Sequence, residues 1–176
     1  MGYMRGDPQN SRFFAYLSLF AGAMLTLTLA DNLLLLFVGW EVMGFCSYSL
    51  IGFWFHKRTA MEAGVKAFMT TRVADVLMLV GIGYLFVLTA NLEGSTGPTL
   101  NFRDIMYAPF GAEEEATEAA PADAEAEHGE ETHTMLDALL ERRAPIFGGS
   151  ALALIGVLLI IGTIGKSAQF PLHTWL

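Results

Sequence analysis

The stretch Phe37-Val38-Gly39-Trp40-Glu41-Val42-Met43-Gly44-Phe45 lies inside a run from Asn32 to Phe55, 24 residues in which Glu41 is the one charged side chain. A bilayer core about 30 Å thick is crossed by about 20 apolar residues at helical rise. The run is therefore long enough to span a membrane, and it carries a carboxylate near its middle. Counting from the start of the run, Glu41 lies roughly 14 Å deep. An acid at that depth costs at least ~2.5 kcal/mol on insertion scales, so it belongs on a face turned toward other helices, where such residues usually carry function. The bland alternative is a protonated Glu bonded to a neighbouring helix.

The same pattern recurs along the 176 residues, 53% of them hydrophobic, with a mean hydropathy of +0.45. Phe13 to Ala30 gives 18 residues without a charge, Val76 to Leu92 gives 17 and Ile146 to Gly165 gives 20. Continuous blocks of this length suit helices, which satisfy their own backbone groups in lipid. The sequence thus predicts an all-α, polytopic transmembrane helix bundle with spans at about 13–31, 32–55, 62–92 and 146–169. The first block leads into further spans rather than a soluble domain, so it is not a cleaved leader. Cys46 is the single cysteine and sits within a span, as a small packing residue does.

The formal charge of −8 is concentrated in one place. Glu113 to Glu131 holds nine acids and no Lys or Arg, and without them the rest of the chain stands at plus one. Segment 111–133 reads as a disordered acidic loop, too poor in apolar residues to fold. His128 and His133 are too sparse for a metal site, and no basic patch suggests nucleic acid. Alternating the spans places Arg5, Arg12, Lys57 and Arg58 on one side, against Arg103, Arg142 and Arg143 on the other. The positive-inside rule then puts the first side in the cytoplasm and the acidic loop in the periplasm.

Further charges lie within the spans. Arg72 and Asp75 are three residues apart and share a helix face, so they can pair. Lys66 points away from Asp75 at 100° per residue; it is either a second relay group or a side chain snorkelling to the interface. Glu62 reads as a solvated partner at a loop end. Lys166 follows 20 uncharged residues and precedes Ser167-Ala168-Gln169-Phe170-Pro171. It fits a cation at a helix C-terminus near the interface, or the broken helix of a transporter. Glu41, Lys166, Lys66, Arg72 and Asp75 together suit a proton relay, with Glu41 expected to face a lysine of a neighbouring helix, since burial and mutual approach set when each group holds its proton. No nucleophile triad, phosphate loop, haem ligand or iron–sulfur cysteine set accompanies them.

Four blocks in order carry a resemblance: "GYMRGDP…RFFAYLSLF", "LADNLLLLFVGWEVMGFCSYSLIGFW", "KAFMTTRVADV" and "GKSAQFPLHTWL". They resemble the L subunit of bacterial respiratory complex I, the counterpart of mitochondrial NADH dehydrogenase subunit 5. The resemblance implies an antiporter-like proton-channel fold, here partial, with a broken helix near Pro171. It also implies a bacterial inner-membrane subunit of NADH-quinone oxidoreductase that moves protons and holds no cofactor itself. NADH, FMN, iron–sulfur clusters and quinone would be bound by other subunits. The implied partners are the other membrane-arm subunits, the adjacent antiporter-like one above all, together with the lipid bilayer and protons.

By the same resemblance Glu41 matches the channel glutamate and Lys166 the central protonatable lysine. Arg72 and Asp75 match a charged pair of the L type, and Lys66 matches the lysine of the Lys-Ala-Phe block. His173 falls where some relatives carry Gln and receives no proton role. The family's central histidines, second-half lysine and lateral helix have no counterpart here, and the acidic insert is longer than the family's usual connection. The chain is thus expected to be an internal piece of about four helices. Multi-subunit cation/proton antiporters, which share the Trp-Glu motif, are the second reading, and a purely structural bundle the third.

Overall fold

A computed structural model describes residues 2–92, 97–107, 134–144 and 148–176. The acidic segment 111–133 lies outside the described residues. Six α-helices are found among them: α1 (Asn10–Thr28), α2 (Leu33–Ile51), α3 (Arg58–Ala90), α4 (Phe102–Tyr107), α5 (Met135–Glu141) and α6 (Ala151–Lys166). A 3-10 turn at Leu172–Trp175 follows. Helices α1, α2 and α3 are long and apolar enough to cross a membrane.

The bounds differ from the sequence expectation in ways local chemistry explains. Helix α2 starts where Asn32 accepts a hydrogen bond from Leu35 N–H at 2.7 Å, which satisfies one of the free donors of its first turn. Helix α3 begins at Arg58 rather than near 62, so the Arg58–Glu62 ion pair forms at i,i+4 on its exposed first turns. The fourth apolar block is helical over 16 residues only, from Ala151 to Lys166, roughly 24 Å at helical rise. Ahead of it, Gly148 takes a φ of +63° that a side chain would oppose. Beyond it, Ala168 turns to a φ of 50°, and Pro171 leads into the 3-10 turn.

Close approach of backbones sets the register between helices. A Cβ on Gly39 would meet Leu27 N at 3.0 Å and Ala23 O at 3.1 Å, which brings α1 against α2. On the other side, a Cβ on Gly64 would sit 3.3 Å from Gly52, where α2 ends against α3. Helix α6 packs antiparallel on α3: a Cβ on Gly162 would meet Met78 Sδ at 2.7 Å, and one on Gly165 would overlap the Cβ of Ala74. Such small-residue seams are how helices gain contact in lipid, where burial of apolar surface drives little. Large apolar side chains point outward instead, among them Leu25, Val73, Val80 and Ile160.

One end of the bundle is closed by the short helices. Leu33 N–H donates to Leu100 O and Phe102 N–H to Asp31 O, both near 3 Å (3.0 and 3.1 Å). Ile105 and Leu139 join Leu33, Ile82, Leu85 and Ile155 in a single apolar cluster beneath this cap. Helix α5 opens with a capping box between Thr134 and Asp137. The cap leaves the middle of the bundle to α2, α3 and α6, and there the charges meet.

Candidate functional site

Helix α6 reaches only partway along α3. Its last turn lies against Ala74, the midpoint of the Arg58–Ala90 helix, because Gly165 lets the two backbones close up there. Lys166 therefore stands level with the middle of α3, where the helix breaks. The chain stays tied to the break: Trp175 Nε1 donates to Gly165 O at 3.0 Å, satisfying a carbonyl the broken helix leaves free.

Four charged groups converge at this level. Arg72 of α3 pairs with Glu41 of α2 in direct contact, their side chains 26% and 27% exposed. Asp75, 2% exposed, lies between the two cations, with Oδ2 3.9 Å from Arg72 Nη1 and 4.0 Å from Lys166 Nζ. That Oδ2 is buried and makes no hydrogen bond, whereas Oδ1 accepts from Trp40 Nε1 at 2.7 Å. Lys166 Nζ donates to the carbonyl of Trp40 and sits 4.8 Å from the centre of its indole. The Arg72 guanidinium likewise covers the Phe68 ring at 4.6 Å.

Arg72 and Asp75 share a face and come within ion-pair reach at 3.9 Å, as their spacing predicts, and the closer partner of Arg72 is Glu41. The α2–α3 register brings that carboxylate to the same level, and a long guanidinium reaches across the interface more easily than along its own helix. Glu41 therefore meets an arginine, not a lysine, and Lys166 meets Asp75 instead. Lys66 is exposed on α3 and makes no ion pair among the described residues. His173 stacks on Phe170 at 5.8 Å, away from the charges.

Two residues of the site were not singled out from sequence. Trp40 adjoins Glu41, yet its indole faces Asp75. Gly44, one turn further on, has no side chain, and a Cβ there would stand 2.9 Å from Lys166 Nζ and 3.5 Å from Arg72 Nη2. Its position at i+3 from Glu41 was the available signal, since a small residue on the charged face leaves room for another helix's group. Cys46 is fully buried in α2, as a packing residue. A cavity of about 50 Å³ runs beside the site, lined by Gly44, Ser47, Tyr48, Thr71, Lys166 and Trp175 among others. It has room for water and hydroxyl groups on its wall to hold it.

Chemically, two anions and two cations at one level form three ion pairs, two of which share a member: Arg72 and Lys166 both reach Asp75. A proton added to Glu41 weakens its hold on Arg72, and the other carboxylate within ion-pair reach of Arg72 among the described residues is Asp75, through its unbonded oxygen. Two cations would then compete for one carboxylate that is out of water, where an unpaired charge is costly.

Known proteins resemble this chain in sequence. The family model described as "NADH:quinone oxidoreductase/Mrp antiporter, TM" matches residues 30–120, which includes α2, α3 and three of the four charges. The F(420)H(2) dehydrogenase subunit L of Methanosarcina mazei is 40% identical over 178 residues, covering 100% of this chain and 23% of that protein. The NADH-quinone oxidoreductase subunit L of Escherichia coli K12 is 41% identical over 174 residues, covering 99% of this chain and 22% of the relative. The NAD(P)H-quinone oxidoreductase chain 5 of Synechocystis is 35% identical, with 99% and 20% covered. The chain thus spans about a fifth of the length of these relatives. With more than half of its residues inside the family model and an all-helical, membrane-spanning fold around the clustered charges, the chain belongs to the NADH:quinone oxidoreductase/Mrp antiporter transmembrane family.

Proposed function

We propose that this chain is part of the proton-translocating subunit of a bacterial NADH-quinone oxidoreductase, and that Glu41, Arg72, Asp75 and Lys166 form its relay. The observation that carries the reading is the position of Asp75 Oδ2, 3.9 Å from one cation and 4.0 Å from another, with no hydrogen bond of its own. Protonation of Glu41 releases Arg72 toward Asp75, and Arg72 then displaces Lys166. An ammonium stripped of its counter-charge inside a membrane gives up its proton, and the cavity lined by Ser47, Tyr48 and Thr71 lies beside it to receive that proton. Reversing the order reloads Lys166.

The names of the relatives support a role in proton movement rather than electron transfer. They print three different donors, F(420)H(2), NADH and NAD(P)H, yet each relative matches nearly the whole chain. What they share across these residues is then not a donor site. NADH, FMN, iron–sulfur clusters and quinone accordingly belong to other subunits, and the adjacent antiporter-like subunit is the partner that passes the coupling signal on. The chain lies in the inner membrane with Lys57 and Arg58 in the cytoplasm and the acidic segment in the periplasm, an orientation supported by the Lys and Arg count.

The test is made in the full-length protein within its complex, in inverted membrane vesicles. Asp75→Ala and Glu41→Gln should each lower NADH-driven proton uptake while the complex still assembles. Undiminished uptake in either variant would refute the relay. Sodium-dependent proton flux without NADH would instead assign the chain to a cation/proton antiporter, the other member of the family.

A further inference from the structure

Trp40 touches both partners of the inner pair through different atoms. Its indole N–H donates to Asp75 Oδ1 at 2.7 Å. Its backbone carbonyl accepts from Lys166 Nζ, and its ring lies 4.8 Å from the same ammonium. The next residue in the chain, Glu41, holds Arg72. Adjacent positions of one helix therefore address the two ion pairs separately.

The indole bond has a directional consequence. Asp75 is 2% exposed, and a carboxylate shut away from water can turn about its Cβ–Cγ bond unless one oxygen is held. With Oδ1 bound to the indole, Oδ2 is the oxygen that faces Arg72 and Lys166 at nearly equal distance, 3.9 and 4.0 Å. We infer that Trp40 is the positioning residue of the site: it makes Asp75 present a single oxygen to both cations, so that they compete instead of each taking one. A carboxylate free to offer both oxygens would hold Arg72 and Lys166 together, and a change at Glu41 would no longer reach Lys166. This inference rests on the relay proposed above and adds to it a group that carries no charge and exchanges no proton.

Trp40→Phe keeps an aromatic ring beneath Lys166 and removes the N–H. In the full-length protein within its complex it should assemble normally and lower NADH-driven proton uptake about tenfold, the scale of one hydrogen bond to a charged group. The same substitution in an Asp75→Ala background should add no further loss, because the group it positions is gone. An equal loss in both backgrounds would overturn the inference and leave Trp40 as packing. The second readout is the carboxylate stretching band assigned by its disappearance in Asp75→Ala and Asp75→Asn. Loss of the indole bond should shift this band in Trp40→Phe, and an unchanged band overturns the inference whatever the activity of the variants. The outcomes also separate the two levels of argument. Full proton uptake in Asp75→Ala refutes the relay itself, whereas reduced uptake in Asp75→Ala with an unshifted band in Trp40→Phe refutes only the role of Trp40.

Discussion

Replacing Arg72 with Met in the full-length protein removes the guanidinium and keeps much of its apolar stem. Arg72 contacts Glu41 and lies 3.9 Å from Asp75. Unit charges at about 4 Å attract by ~4 kcal/mol at an effective dielectric constant of about 20. Both Arg72 and Glu41 keep about a quarter of their side-chain surface open, which screens the pair below that value. Arg72→Met should therefore destabilise the fold by about 3 kcal/mol, chiefly by leaving Glu41 without its counter-ion. Glu41→Gln alone should cost about 1–2 kcal/mol, and added to Arg72→Met it should recover part of the loss. The expected coupling is about 2 kcal/mol, within the range for residues in direct contact. Purified variants unfolded reversibly with dodecyl sulfate in mixed micelles provide the measurement. The parallel cycle of Glu41→Gln with Lys166→Ala should show the smaller coupling, because those residues communicate only through Arg72 and Asp75. A larger coupling for Glu41–Lys166 than for Glu41–Arg72 would refute the pairing described here.

Three further outcomes follow from the geometry. Gly44→Ala places a methyl 2.9 Å from Lys166 Nζ, the movable end of a long side chain; stability should change by less than about 1 kcal/mol, while proton uptake falls as the ammonium is pushed off Trp40 and Asp75. Lys66→Ala removes an exposed cation with no ion pair among the described residues, so proton uptake in vesicles should stay near the unsubstituted level. A large loss would give Lys66 a partner elsewhere in the complex. Accessibility tags at Lys57–Arg58 and within Glu113–Glu131 should label from the cytoplasm and the periplasm respectively, and the opposite pattern would reverse the side from which the relay loads.

Much of the architecture follows from sequence because membrane helices are written as long apolar blocks whose length is matched to the bilayer. The blocks around Phe13–Ala30, Asn32–Phe55 and Val76–Leu92 became α1, α2 and α3, with ends displaced by caps and turns. The last block shortened to α6 because backbone turns at Gly148 and Ala168 interrupt it, and a turn of that kind leaves no mark on hydropathy. Glu41 stood out as a candidate for a related reason: a lone carboxylate amid apolar residues is costly wherever that helix lies, so its need for a partner precedes any knowledge of the fold.

The identity of that partner is another matter. Periodicity relates residues on one helix and placed Arg72 and Asp75 on one face correctly, but it has no access to the relative height of two helices. That height depends on where backbones can touch, at Gly64 on Gly52 and at Gly165 on Ala74, contacts made across long stretches of chain. The bond from Lys166 to Trp40 spans 126 residues. The sequence by itself determined that charges sit inside a membrane bundle and must find one another. Only the packed structure decided that Glu41 takes Arg72, that Lys166 takes Asp75, and that Trp40 stands between them, because a one-turn slide of α2 or of α6 along α3 would keep every hydropathy pattern and break the corresponding pair.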